Sequence, residues 1–246
     1  MEKLYRSTQT VRKGRSRMVN NKNILLIWDI DGTLLTCKGS GKRSMTQAFL
    51  DMFGVQNGFD GVNMAGRVDR SIVTEACEKH GIFEYDIDAF YKLYSQCLDN
   101  DMKDNHKAKV LDGVEHILKR THESSQFFNV IGTGNCEQGA WLKLKHLNLD
   151  SYFDTGGFGT HVIERKHVIK HALDNARKHY NMDFIDLENV FVVGDTPADV
   201  ICSKKLNLKS VAIATGGYTM SVLESYKPDY LLASLDKPQS FLNIFE

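Results

Sequence analysis

Short apolar runs punctuate the chain at residues 24–28, 127–131, 190–193 and 211–214, with a weaker run at 230–232. They are brief and rich in β-branched residues, which predicts strands, not helices. Between them, apolar residues recur at helical spacing. Residues 138–146 carry Trp141, Leu142, Leu144 and Lys145 on a helix ended by an Asn-containing turn, and residues 168–180 repeat Val168, Ile169, Ala172, Leu173 and Ala176. Pro197, after Asp195-Thr196, opens another helix, because a first-turn proline gives up no hydrogen bond. Strands alternating with helices predict an α/β fold: a Rossmann-like parallel sheet with helices on both faces.

The stretch 37–112 breaks that alternation. Its apolar residues fall at Met45, Ala48, Phe49, Met52 and Phe53, then Ile72, Val73, Ala76 and Cys77, then Phe90, Leu93, Tyr94 and Cys97. It has no internal proline and no strand run. This predicts an inserted all-helical cap domain between the first and second strands, hinged at Gly39-Ser40-Gly41 and Leu111-Asp112-Gly113. The α/β core is then 23–36 and 113–246, and the cap is 37–112. Residues 1–22 stand apart: Arg6, Arg12, Lys13, Arg15 and Arg17 lie among Ser, Thr and Asn with one acid, Glu2. With neither the apolar run of a secretory signal nor a clear amphipathic pattern, a solvated, disordered basic tail is expected.

Composition narrows the function classes. Lys+Arg and Asp+Glu both number 31, so the charge balance suggests no nucleic-acid partner and no membrane surface. No apolar stretch approaches the roughly 20 residues that span a bilayer. The five cysteines, Cys37, Cys77, Cys97, Cys136 and Cys202, are scattered, with no CxxC pair, and predict reduced thiols in a cytoplasmic protein. The charge count leaves oligomeric state open.

Ligands of open parallel sheets bind beyond the C-terminal ends of the strands, so the residues after each strand carry the chemistry. After the first come Asp29-Ile30-Asp31-Gly32-Thr33, after the second Gly132-Thr133-Gly134-Asn135, after the third Gly194-Asp195-Thr196-Pro197-Ala198-Asp199. Two carboxylates about 4 Å apart repel by roughly 1–4 kcal/mol in a wet to partly wet site. Asp195 adds to this unless a cation is present, and a hard oxygen-seeking ion such as Mg²⁺ suits the set. A hydroxyl and backbone N–H groups at a helix start suit phosphate oxygens. Together these predict metal-assisted phosphoryl transfer.

The motifs "DIDGT", "GTGN" and "GDTPAD", in that order after successive strands, resemble those of the haloacid dehalogenase superfamily. The insert resembles the helical cap of its phosphoglycolate phosphatase-like branch, and "GRVDRSI" at 66–72 resembles that branch's "GRTD" cap segment. The resemblance implies that Asp29 attacks phosphorus and forms an aspartyl-phosphate, while Asp31 protonates the leaving oxygen and then activates water. It implies a Mg²⁺ held by Asp29, Asp31 (through its carbonyl) and Asp195, and phosphoryl oxygens held by Thr133, Gly134 and Asn135. Asp199 and Thr33 would orient the groups around the metal. Relatives place a lysine, commonly followed by proline, at the head of the helix between the second and third strands. Here "GGFGTHVIERKHVIKHAL" has no proline, so Arg165 or Lys166 must take the cationic role, and spacing to Ala172-Leu173 favours Arg165. Arg43 and Arg67 are cap candidates for gripping the substrate.

Three readings follow. The first is a phosphatase acting on a small phosphorylated metabolite, phosphoglycolate-like or a sugar phosphate. The second is a phosphomutase that passes the phosphoryl group between two hydroxyls of one sugar. From a different class comes an inactive scaffold whose basic tail binds an acidic partner or nucleic acid, against which the intact acids argue. Halide displacement would give Asp31 and Asp195 no work. Asp195 could also cap the helix at Pro197, and Asp199 could be only a first-turn acid.

Overall fold

The structure is a computed structural model that describes residues 23–182 and 185–246. The basic segment 1–22, expected to be a tail, lies outside the described residues. In chain order the elements are β1 (Ile24–Trp28), β2 (Leu35–Thr36), α1 (Ser40–Phe53), α2 (Asp69–Lys79), α3 (Ile87–Asp104), β3 (Lys109–Val110) and α4 (Val114–Glu123). Then follow β4 (Phe127–Gly132), α5 (Glu137–His146), β5 (Gly156–Gly157), α6 (Arg165–Tyr180), β6 (Val190–Gly194), α7 (Pro197–Lys205), β7 (Lys209–Ile213), α8 (Met220–Ser225), β8 (Tyr230–Leu232) and α9 (Pro238–Leu242).

Six strands form one parallel sheet in the order β5-β4-β1-β6-β7-β8. β1 is central, and its five residues are all buried. Its alternate side chains divide the core. Leu26 and Trp28 face one apolar cluster with α4, α5 and the cap, whereas Leu25 and Ile27 face a second with α6 and α7. That two-sided burial is why β1 reads as a continuous apolar run and not as an alternation.

Two kinds of strand were missed. β5 is a glycine pair with no apolar side chain to show. A Cβ at Gly157 would sit 2.1 Å from the Val168 carbonyl oxygen, so glycine lets α6 pack directly on the sheet edge. β2 and β3 are two residues each, too short for any period, and pair antiparallel where the chain enters and leaves the cap. The insert is therefore helical except for β3. The crossing is tied further by Asn105, whose Nδ2 donates to the Cys37 carbonyl at 2.6 Å and to Ser40 Oγ at 2.8 Å. The run expected at 211–214 begins two residues earlier, at Lys209-Ser210, whose polar side chains meet Glu188 and Asp229. Among the described residues, no helix is long and apolar enough to cross a membrane. All five cysteines are free thiols.

Candidate active site

β1 delivers Asp29 to the C-terminal rim of the sheet, where its N–H is fixed by the Val193 carbonyl of β6 at 2.9 Å. The chain then turns tightly: the N–H groups of Thr33, Leu34 and Leu35 all point at the Ile30 carbonyl. Gly32 makes this possible at φ +84°, a left-handed conformation costly for any residue with a Cβ. A Cβ there would also sit 2.5 Å from Asp195 Oδ2, and one at Gly216 would sit 1.6 Å from it. The two glycines form a cradle around the Asp195 carboxylate, and Thr33 Oγ1 donates to its Oδ1 at 3.1 Å.

One carboxylate oxygen from each of Asp29, Asp195 and Asp199 lies within 4.8 Å of the others, and all three residues are buried. Arg165, at the start of α6, is the cation among them: its Nη2 is 2.9 Å from Asp29 Oδ1 and 2.7 Å from Asp199 Oδ1. Burial pushes the Asp29 carboxyl up, with Arg165 opposing, and pushes Asp195 up with the help of Asp29 and Asp199. One guanidinium does not offset three buried acids, so a further hard cation fits this donor set.

Asp199 has both oxygens engaged. Oδ2 accepts from Thr196 N at 3.1 Å and Thr196 Oγ1 at 2.8 Å, closing a capping box at the start of α7, and Oδ1 holds Arg165. It is a cap and an anchor for Arg165 rather than a ligand. Thr196, not Asp195, caps that helix, which leaves Asp195 facing Asp29.

The Asp31 side chain is turned away from the other acids. Its carboxylate lies outside the acid group and bonds Lys143 Nζ at 2.6 Å and Asn135 Nδ2 at 2.8 Å. Both bonds fall on Oδ2. Asn135 Nδ2 also donates to Thr133 Oγ1 at 2.8 Å, so Thr133, Asn135 and Asp31 form one connected rim. Gly134 faces the cap: a Cβ on it would sit 2.1 Å from the Arg67 carbonyl oxygen. Of the N–H groups expected to face phosphate, that of Asn135 donates to Thr133 Oγ1 at 3.3 Å, and the next along, Cys136 N, donates to Asp69 Oδ2 of the cap at 2.8 Å.

Two cationic candidates are placed elsewhere. Lys166 points outward to Glu164 at 3.0 Å. Arg43 is half-exposed and pairs with Asp101 through two 2.7 Å bonds, away from the acids, because its helix face turns toward α3. Arg67 does line the cavity, but its guanidinium is held by Glu75 and by the Asn63 carbonyl at 3.0 Å.

The acids open into a cavity of about 390 Å³ between core and cap, lined on the cap side by Met45, Met64, Ile72 and Tyr94 among others. Two residues here escaped the sequence reading: Lys143 and Asp69. Lys143 reads in the sequence as an ordinary solvated helical lysine, and it is the fold that places it in the buried stripe Gly139, Ala140, Lys143 and Leu144 of α5. Asp69 was visible only as part of the "GRVDRSI" segment.

Residues 26–213 match the haloacid dehalogenase-like hydrolase family, and the chain belongs to it. Among curated proteins it is 25% identical over 138 residues to the "Putative pyrophosphatase PpaX" of Caldanaerobacter subterraneus subsp. tengcongensis. That match spans 55% of this chain and 60% of the relative's length. Among solved structures, a predicted phosphatase from Clostridium acetobutylicum superposes with a TM-score of 0.62 at 20% identity, covering 90% of this chain and 99% of that one. A predicted phosphoglycolate phosphatase from Haemophilus somnus 129pt gives a TM-score of 0.61 at 16% identity, covering 90% and 98%. These likenesses establish the shared fold.

Proposed function

We propose that this chain is a Mg²⁺-dependent phosphatase that hydrolyses a small phosphorylated metabolite through an aspartyl-phosphate on Asp29. One observation carries the reading: the two acids of "DIDGT" are held for different work. Asp29 sits among Asp195 and Arg165, while Asp31 is turned away to Lys143 and Asn135 at the cavity edge.

Asp29 and Asp195 would hold the metal, which when bound supplies positive charge to the phosphoryl oxygens and to the nucleophile. Arg165 holds Asp29 in line and lowers the cost of burying its charge. An Asp29 oxygen forms a bond to phosphorus as the ester P–O bond breaks, and Asp31 gives the leaving oxygen its proton. Thr133 and Asn135 would bind equatorial oxygens, where charge develops. Asp31, now ionised, takes a proton from water as that water attacks phosphorus. Phosphate leaves and both carboxylates return to their starting states. The cap would exclude bulk water in the first half-reaction.

Phosphate release from an aryl phosphate should require Mg²⁺, cease on chelation and return on readdition. Full activity in chelator would overturn the metal assignment. Isomerisation of a sugar phosphate without phosphate release would replace the phosphatase with the phosphomutase.

A further inference from the structure

Lys143 lies in the buried stripe of α5 with its side chain 4% exposed, while the Asp31 side chain it meets is 44% exposed. The facing Asp31 carboxylate supplies the counter-charge that a buried lysine side chain needs.

We propose that Lys143 is a positioning residue for Asp31: with Asn135 it fixes one carboxylate oxygen and leaves the other for proton exchange with the leaving group and the attacking water. The inference rests on the phosphatase reading above. The geometry is a closed set of bonds. Lys143 Nζ donates to Asp31 Oδ2 at 2.6 Å and to Asn135 Oδ1 at 2.7 Å, and Asn135 Nδ2 donates to the same Asp31 Oδ2 at 2.8 Å. Oδ2 is thus pinned from two sides, and both pins are buried.

A carboxyl on an exposed turn rotates freely about its Cβ–Cγ bond, and a proton donor displaced by about 1 Å can lose about a hundredfold in rate. A neutral side chain at 143 would leave the Asn135 amide as the remaining partner of Oδ2. The ammonium also links the acid to the Thr133-Asn135 loop, since Asn135 Nδ2 bonds Thr133 Oγ1 at 2.8 Å. The proton donor and the phosphoryl-binding loop are therefore held as one unit.

A merely structural lysine and a positioning lysine differ in leaving-group dependence. Nitrophenolate departs without a proton, whereas an alkoxide needs one. Wild type, Lys143→Met, Asp31→Asn and the double variant are compared by kcat/KM on nitrophenyl phosphate and on a simple alkyl phosphate, which isolates the step that expels the leaving group. Lys143→Met should lose at least about tenfold more on the alkyl ester than on the aryl ester. Asp31→Asn should show the same bias, and the double variant should add little to it. Equal losses on both esters, or none, would overturn the proposal. A second readout needs no turnover. In ¹⁵N-lysine-labelled protein, the Lys143 ammonium should exchange slowly with water and shift in Asp31→Asn; an unchanged signal in that variant would overturn the contact itself. A wild type that turns over neither ester counts against the phosphatase reading alone.

Discussion

At the residue scale, the site is a problem in cation supply. Three buried carboxylates, Asp29, Asp195 and Asp199, share one guanidinium. Removing one partner of a buried pair costs about 3–5 kcal/mol, because a charge is left in low dielectric without compensation. Arg165→Met should therefore lower metal-free stability by about that amount in urea unfolding and also suppress turnover. Lys166→Met, which removes only the outward contact to Glu164, should leave stability and activity near wild type. A larger loss at Lys166 than at Arg165 would reverse the roles the geometry supports.

At the element scale, the turn after β1 is the part with least freedom. Gly32 is left-handed at φ +84°, and a Cβ would meet Asp195 Oδ2 at 2.5 Å. Gly32→Ala should cost about 1–2 kcal/mol from backbone strain alone. It should lower turnover far more than that implies, by at least about a hundredfold, because it displaces Asp195 as well. Near-normal kinetics in this variant would show that Asp195 is not held where the structure has it.

The same scale shows how much of the fold could be read in advance. β1 and β8 keep their expected bounds, because β1 is a clean apolar run between Asn23 and Asp29 and β8 starts sharply after Asp229. β2, β3 and β5 were invisible, since two residues carry no periodicity and glycines carry no side chain. The rim acids were legible because each follows a strand. Lys143 was not, because a charged residue on a helix is read as solvated, and only its tertiary neighbours make it an interior group. The direction of the Asp31 carboxylate, toward Lys143 and Asn135, was not legible for a related reason. Spacing places Asp29 and Asp31 near one another but does not say which way a carboxylate turns.

At the scale of the whole molecule, cap and core meet over the site through backbone. Asp69 N donates to the Gly134 carbonyl at 2.7 Å, and Arg70 N to the Gly159 carbonyl at 3.3 Å. The Asp69 carboxylate caps the start of α5 through Cys136 N at 2.8 Å. Burial raises its pKa from 3.8 to about 6, with Lys143 and the Cys136 N–H opposing. A raised pKa means the folded state binds the proton more tightly, so this group's contribution is full below about pH 4 and is lost as pH rises through about 6. Asp69→Asn keeps an acceptor for Cys136 and removes the titration. Its stability relative to wild type should increase by up to about 3 kcal/mol between pH 4 and pH 7. A difference that stays flat with pH would show that Asp69 is not buried against the core in solution.

The central claim, that Asp29 receives the phosphoryl group, has a direct test. Enzyme mixed with Mg²⁺ and an aryl phosphate is quenched in acid within one turnover and mapped by peptide mass spectrometry. The phosphoryl group should reside on the peptide bearing Asp29, and Asp29→Asn should both lose that label and slow phosphate release by at least about a thousandfold. A label on another residue, or phosphate release in Asp29→Asn near the wild-type rate, would contradict the account.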